Sequence, residues 1–487
     1  MPDRRPSSIF DVVIVGAGVV GSAIARELSR HRLDLALVEA GPDVGAGTSK
    51  ANTAILHTGF DAQPGSLEAG LVRRGWQLLN ELGPDLGIPI ERTGAVLIAW
   101  NEDELAELDP IEEKARANGY DATRRLSAGD LYRLDPDLGP GALAGLQVPD
   151  ESIVCPFTAP LAFATQAVEN GTTLLLDSPV RGVGRGGDGE HVLELPGGAR
   201  LRARWVVNAA GLNSDVVDGM FGHHRFAVTP RRGELIVFDK LARRLVKHIL
   251  LPVPTRLGKG VLVAPTVYGN VMLGPTAEEI GDKAGTESTA AGLQGLWAKG
   301  RRILPALLRE EVTAIYAGLR AATEHSDYQL FVEADQRYVC VGGIRSTGLT
   351  ASLAIGEHVA GLLRDAGVAL VAKDAFRPVR LPNIGEAFPR PYRDADAIAA
   401  DPDYGRIVCH CERVTLGEIR AATSSTIPAR TVDGLRRRTR AQFGRCQGFF
   451  CAAEVDQLLA DATGQPVGAL PGPRRTSSSV GAGEAIQ

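Results

Sequence analysis

The stretch "FDVVIVGAGVVGSAIARELSRHRLDLALVEAG", residues 10–41, constrains the fold more than any other part of the chain. It reads as strand, tight turn, helix and strand. Val12 to Val15 is a continuous apolar run, as expected of a parallel strand buried on both faces. Gly16, Gly18 and Gly21 follow as G-x-G-x-x-G. The first permits the turn, the second lets the backbone approach a pyrophosphate, and the third lets helix and sheet pack closely. The N-terminus of the helix offers N–H groups and a positive dipole end to that pyrophosphate. Glu39 closes the second strand eighteen residues beyond Gly21, placed to accept hydrogen bonds from a ribose. The three glycines alone are a weak signal. The ordered series of strand, glycines, helix, strand and acid is a strong one.

A chain of 487 residues predicts two or three domains. Its 44% hydrophobic and 23% charged residues are ordinary for a globular protein. The formal net charge of -5 gives no nucleic-acid footprint over the chain as a whole. No apolar run approaches the roughly 18 to 20 residues of a membrane span. Removing the start as a signal peptide would destroy the first strand, so a cytoplasmic location is expected, with any membrane contact made through a partner. Six cysteines, four of them clustered, suggest a reducing compartment and a metal or redox site.

Which dinucleotide binds is a question for the later segments. "GPDVGAGTSKANTAILHTGFDAQPGS" is rich in small residues, Ser49 among them, and can run close beside a ring system. "RLRARWVVNAAGLNSD" is a strand ending at Gly211, and "YVCVGGIRSTGLTASLAIGEHVAGLL" is a strand, a glycine pair with Gly343, a turn, and a helix starting near Gly348, Leu349 and Thr350. Three separated segments converging on one large ligand suit FAD better than NAD. With these motifs the chain resembles the D-amino-acid-oxidase-like superfamily of FAD-dependent oxidoreductases. That resemblance implies an α/β fold: a Rossmann-like FAD-binding domain with an inserted antiparallel-sheet substrate domain. The FAD-binding parts are expected at about residues 9–90, 150–225 and 318–370, the substrate-cap parts at about 91–149 and 226–317, within a unit spanning 9–375.

Within the superfamily, "AILHTGFDAQPGSLEAGL", "PRRGELIVFD", "PTRLGKGVLVAPTVYGNVMLGPTAEE" and "YAGLRAATEHSDYQL" resemble glycerol-3-phosphate dehydrogenases and oxidases, and also L-2-hydroxyglutarate oxidoreductases. Oxidising a secondary alcohol requires a proton acceptor and a hydride aimed at the flavin, plus cations for an anionic handle. The resemblance makes His57 the candidate base, the alternative being a histidine that merely packs against the flavin. Arg320, Lys259 and Arg345 are the candidate cations, with Arg320 and Lys259 also counted in the catalytic set. Arginine presents a planar fork that matches carboxylate or phosphate, while lysine is a point charge. Lys259 between two glycines reads equally as a solvated turn, and Arg345 as a structural bridge. The alternation around Tyr268-Gly269-Asn270 signals a hairpin.

A proline-rich linker at 376–403 separates this unit from a tail domain at 404–465. There Cys409-x-Cys411 is followed after 34 residues by Cys446-x-x-x-x-Cys451. Four soft thiolates select zinc, copper or an iron–sulfur cluster. The stretch from "VCHCERVTLGEIRAA" to "RRRTRAQFGRCQGFFCA" resembles the bacterioferritin-associated-ferredoxin-like module, which implies a 2Fe–2S cluster on these four cysteines. The arginine run Arg436, Arg437, Arg438 and Arg440 reads as a solvated helix or as compensation for an anionic cluster, in preference to a nucleic-acid patch. Cys155 and Cys340 read as buried and inert. Residues 466–487 are expected to be disordered.

Together these readings predict an FAD-dependent dehydrogenase for a small anionic secondary alcohol. sn-Glycerol 3-phosphate ranks first and L-2-hydroxyglutarate second, with an opine or amine dehydrogenase and a non-enzymatic electron-transfer flavoprotein as rivals. Electrons would leave through the cluster to an acceptor, for which the resemblance implies a quinone-linked partner subunit.

Overall fold

The computed structural model of the chain describes residues 9–254 and 260–470. Five parallel strands lie side by side in the order Tyr338–Gly342, Arg200–Asn208, Phe10–Val15, Leu35–Val38 and Thr173–Leu175. Val12, Val13 and Ile14 are fully buried, which follows from helices covering both faces of a parallel sheet. The helix Val19–Leu28 packs between the helices Thr158–Glu169 and Gly348–Asp365. The helix Leu67–Leu86 starts at a Ser66 cap, stops at Gly87 in the left-handed region, and also packs on Gly348–Asp365. That last contact is tight: a Cβ on Gly75 would stand 2.2 Å from the carbonyl oxygen of Thr350.

A second, nine-stranded sheet is mostly antiparallel. Its spine is the pair Thr229–Phe238 and Val312–Ala322, whose register sets Arg231 opposite Arg320. Leu262–Pro265 and Val271–Gly274 form the hairpin whose turn carries Tyr268-Gly269-Asn270. Ala95–Ala99, Arg124–Ser127 and Ala144–Val148 join the same sheet through Ile249–Pro252, so segments distant in sequence share one layer. The acidic stretch after Asn101 forms two short helices, Glu102–Ala106 and Leu108–Ala117, that bury Leu108, Ile111 and Ala115 and leave their charges outward.

The C-terminal part builds its own small core from Val408, Val414, Ile419, Leu435, Val455 and Leu459. The preceding proline-rich stretch is docked along its length. Leu381 N–H donates to the Leu86 carbonyl (3.0 Å) and Glu386 N–H to the Val267 carbonyl (2.8 Å). Arg390, 2% exposed, donates to Glu418 across the next unit. One expectation is corrected here. The arginine run is not a solvated helix: Arg437 and Arg438 are buried and bind Asp43 of the N-terminal domain, and Arg440 is buried against Glu412. Asp43 lies far away in sequence, so no local pattern could reveal the pairing. At the C-terminus Val467–Ala469 forms a short 3-10 turn, and residues 471–487 of the expected disordered tail lie outside the described residues. Among the described residues no helix is long and apolar enough to cross a membrane.

Candidate active site

A cavity of about 1470 Å³ lies between the parallel sheet and the antiparallel one. Its walls include Gly16, Gly18, Glu39, Ser49, Gly211, Gly348 and Leu349, the residues expected to face a dinucleotide. Gly16 has φ +104°, and a Cβ there would stand 2.4 Å from the Ala209 carbonyl oxygen, so only glycine fits this turn. Gly21 is off the wall; a Cβ on it would be 1.9 Å from the Gly16 carbonyl oxygen, which is the close helix–strand packing expected of the third glycine. Ser49 Oγ accepts from Val19 N–H at the helix start (2.9 Å). Glu39 accepts from the N–H groups of Ala17 and Gly41 (both 2.8 Å). Burial raises its carboxyl above the ordinary value against the pull of those donors. Gly343 and Thr350 do not line the cavity: Gly343 turns the chain at φ +68° against Gln329, and Thr350 is buried in the helix.

His57 lines the cavity, and its surroundings identify a residue that sequence reasoning missed. Its Nδ1 is 3.1 Å from Oε2 of Glu151, a carboxylate with no exposed surface. The other Glu151 oxygen accepts from Thr58 N–H (2.6 Å) and Thr58 Oγ1 (2.9 Å). His57 N–H donates to Thr350 Oγ1 (3.0 Å), so Thr350 positions the histidine's backbone. Glu151 had no sequence signal, standing beside Asp150 in "VPDESIV" with no motif spacing to residue 57.

Arg320 lies on the wall beside Arg231, Gly233 and Thr276. Among the described residues no carboxylate pairs with it, and its one hydrogen bond is a long 3.4 Å contact from Nη1 to the Thr276 carbonyl. Burial, and secondarily the charge of Arg231, lowers its pKa. Gly233 makes room for it: a Cβ there would be 3.2 Å from Nη2. Arg345 also reaches the wall, but its guanidinium is turned to the carbonyls of His325 and Ser326 and to Glu68 at 3.6 Å. Lys259 lies outside the described residues.

The four clustered cysteines stand together as two pairs. Cys411 and Cys446 are within hydrogen-bonding reach of one another, as are Cys409 and Cys451. Burial pushes the Cys451 thiol up to about 12, whereas backbone N–H groups, that of Phe450 foremost, lower Cys446. Among the described residues no three His, Cys, Asp or Glu side chains converge as the ligands of one ion would. Four thiolates standing in two neighbouring pairs are a donor set that fits a 2Fe–2S cluster, in which each iron takes two. This domain sits against the antiparallel sheet. Arg440 lies over the Tyr268 ring (4.0 Å) and bonds Asn270 Oδ1 and Glu412, the neighbour of Cys411. Phe157 stacks on both Tyr268 and Phe443. Cys155 and Cys340 are buried, and Cys155 Sγ is hydrogen-bonded to the Tyr268 hydroxyl at 2.9 Å.

A parallel sheet opening through G-x-G-x-x-G onto a large cavity, roofed by an antiparallel sheet, defines a flavoprotein oxidoreductase. Residues 11–362 match the family described as FAD dependent oxidoreductase (DAO), and the chain belongs to that family. Residues 407–461 match the BFD-like 2Fe-2S binding domain, so the chain joins an FAD-binding unit to an iron–sulfur one. It is 36% identical to a glycerol 3-phosphate dehydrogenase of Caloramator mitchellensis, over 94% of this chain and 95% of that protein. It is 30% identical to the human mitochondrial L-2-hydroxyglutarate dehydrogenase, over 56% of this chain and 61% of that one. Dithionite-reduced L-alpha-glycerophosphate oxidase from Mycoplasma pneumoniae, solved with FAD bound, superposes with a TM-score of 0.73 at 29% identity, covering 77% of this chain and all of that one.

Proposed function

We propose that this dehydrogenase oxidises sn-glycerol 3-phosphate to dihydroxyacetone phosphate. The observation that carries the reading is one cavity holding both an oriented histidine and a guanidinium with no carboxylate partner among the described residues. With Glu151 accepting from Nδ1–H, Nε2 is the His57 atom assigned to take the hydroxyl proton. Arg320 holds the substrate's anionic end and fixes the carbinol carbon's approach, with Arg345 and Lys259 as further candidate cations. FAD, when bound, would supply the hydride acceptor, and a 2Fe–2S cluster held by Cys409, Cys411, Cys446 and Cys451 would supply one-electron redox chemistry. The substrates named for the relatives from Caloramator and Mycoplasma support the phosphate ester. The human 2-hydroxy-acid enzyme supports a second reading, with L-2-hydroxyglutarate at the same Arg320. We further infer a cytoplasmic enzyme whose acceptor is a quinone-linked partner, through which it meets the membrane.

The test is an anaerobic absorption titration of the FAD-loaded, cluster-loaded protein with each substrate in turn. Rapid bleaching of the flavin by glycerol 3-phosphate, followed by loss of the broad iron–sulfur absorption, is the expected result. Bleaching by L-2-hydroxyglutarate alone would reverse the substrate and keep the roles of His57 and Arg320. No bleaching by either would overturn the alcohol-dehydrogenase reading.

A further inference from the structure

Arg231 was not among the residues that the motifs single out, yet the sheet register places it in a distinctive row. It stands opposite Arg320 on one side and opposite Glu279 on the other. Residues directly opposite one another in antiparallel strands point to the same face, so Glu279, Arg231 and Arg320 form one cross-strand row. All three line the cavity. Arg231 Nη2 binds Glu279 Oε1 at 2.7 Å, and among the described residues no acid pairs with Arg320. Within this row, one acid against two guanidiniums leaves one positive charge unmatched. The next row shows that this is not a general arginine-rich edge. Arg232, whose side chain points to the other face, is buried and pairs with two carboxylates, Glu278 through Nη2 (2.6 Å) and Glu287 through Nη1 (3.2 Å). Like charges directly opposite on a sheet are destabilising unless something anionic lies between them.

We propose that Arg231 and Glu279 form a charge gauge that selects a phosphate dianion over a carboxylate monoanion. The inference rests on the reading of Arg320 as the anion holder. A monoanion is satisfied by Arg320 alone, and Arg231 then stays with Glu279. A phosphate ester carries nearly two negative charges and three acceptor oxygens. It can engage both forks, and Glu279, an exposed side chain, swings out into water as its partner is taken. Glu279 thus competes with the substrate for Arg231. Weak anions fail to displace it and the dianion succeeds. Arg231 and Glu279 are specificity-determining residues for substrate binding and take no part in the proton or hydride step.

The experiment is calorimetric titration of the FAD-loaded holoenzyme with inorganic phosphate and, separately, with acetate, for wild type, Arg231→Gln, Arg231→Lys and Glu279→Gln. Loss of a charge-assisted bidentate contact is expected to weaken phosphate binding by about ten- to hundredfold in Arg231→Gln, with acetate changed by less than about threefold. Arg231→Lys, which keeps the charge without the fork, falls between Arg231→Gln and wild type. Glu279→Gln, with the competitor gone, binds phosphate more tightly than wild type. In steady state with glycerol 3-phosphate, Arg231→Gln raises KM and leaves kcat within about threefold, the signature of lost uniform binding. Equal weakening of phosphate and acetate in Arg231→Gln, or no tightening in Glu279→Gln, overturns the proposal. A wild type that binds phosphate as expected but is not reduced by glycerol 3-phosphate overturns the substrate reading and leaves the gauge standing.

Discussion

Replacing Asp43 by alanine should undock the iron–sulfur domain from the flavin domain. Asp43 is 4% exposed and accepts three charge-assisted bonds: from Arg437 Nη2 (2.6 Å) and from Arg438 Nη1 and Nη2 (both 2.7 Å). Arg438 keeps the carbonyls of Ile427 and Gly434 when the acid is removed. Among the described residues Arg437 has no hydrogen-bond partner except Asp43, so it is left buried and unpaired. Breaking a buried pair from one side costs about 3–5 kcal/mol, and the retained Arg438 contacts place this case near the lower figure. About 3 kcal/mol corresponds to roughly a hundredfold shift of the docking equilibrium. Limited proteolysis of the 376–403 connector and hydrogen exchange over 432–439 would report the shift as faster cleavage and faster exchange. A companion Asp43→Leu, Arg437→Met protein should recover most of the loss, because an apolar pair of similar volume leaves no stranded charge there. Burial alone would raise the Asp43 carboxyl, but the two guanidiniums more than offset it and hold it below the ordinary aspartate value. A depressed folded pKa contributes stability above the unfolded value, about 3.9, and loses it as pH falls through the folded one. Docking should therefore survive mild acid and fail only below the usual carboxylate range. An Asp43→Ala protein destabilised by less than about 1 kcal/mol, with an uncut connector, would refute the reasoning.

Two further outcomes follow from the site. In Glu151→Gln the amide oxygen stays on the two Thr58 donors and NH2 faces His57 Nδ1, reversing the tautomer, so stopped-flow flavin reduction should slow by about 100-fold or more with little change in substrate affinity; a change under about threefold would remove Glu151 from the machinery. Cys409→Ser should abolish the iron–sulfur absorption while leaving flavin bleaching by substrate at its wild-type rate, and one-electron dyes should then be reduced more slowly. Loss of the substrate-driven bleaching itself would mean that the two cofactors are not sequential.

The parts of this protein that could be read from its sequence are those whose physics is local. Gly16, Gly18 and Gly21 sit within six residues, and Gly16 and Gly21 are dictated by backbone approaches that only glycine allows, so the first strand, helix and pyrophosphate turn are written in one short stretch. Cys409 and Cys411, and Cys446 and Cys451, are spaced as ligands within their own loops, so the metal chemistry was legible as well. The helix over Gly348–Asp365 follows from its own apolar periodicity.

Only the tertiary structure decided the pairings that give those parts their roles. Whether His57 is an oriented base depends on Glu151, 94 residues away. Whether the arginines after Leu435 are solvent decoration or a docking face depends on Asp43, 394 residues from Arg437. Which charges share the cavity with Arg320 is set by strand register, and a slip of one residue would put Arg231 on the other face and Arg232 in its place. An isolated ionisable residue in a sequence looks the same whether it ends in water or against a buried counter-charge. Desolvation and Coulomb energy act through space, so these residues acquired their chemistry when folding brought their partners within about 3 Å.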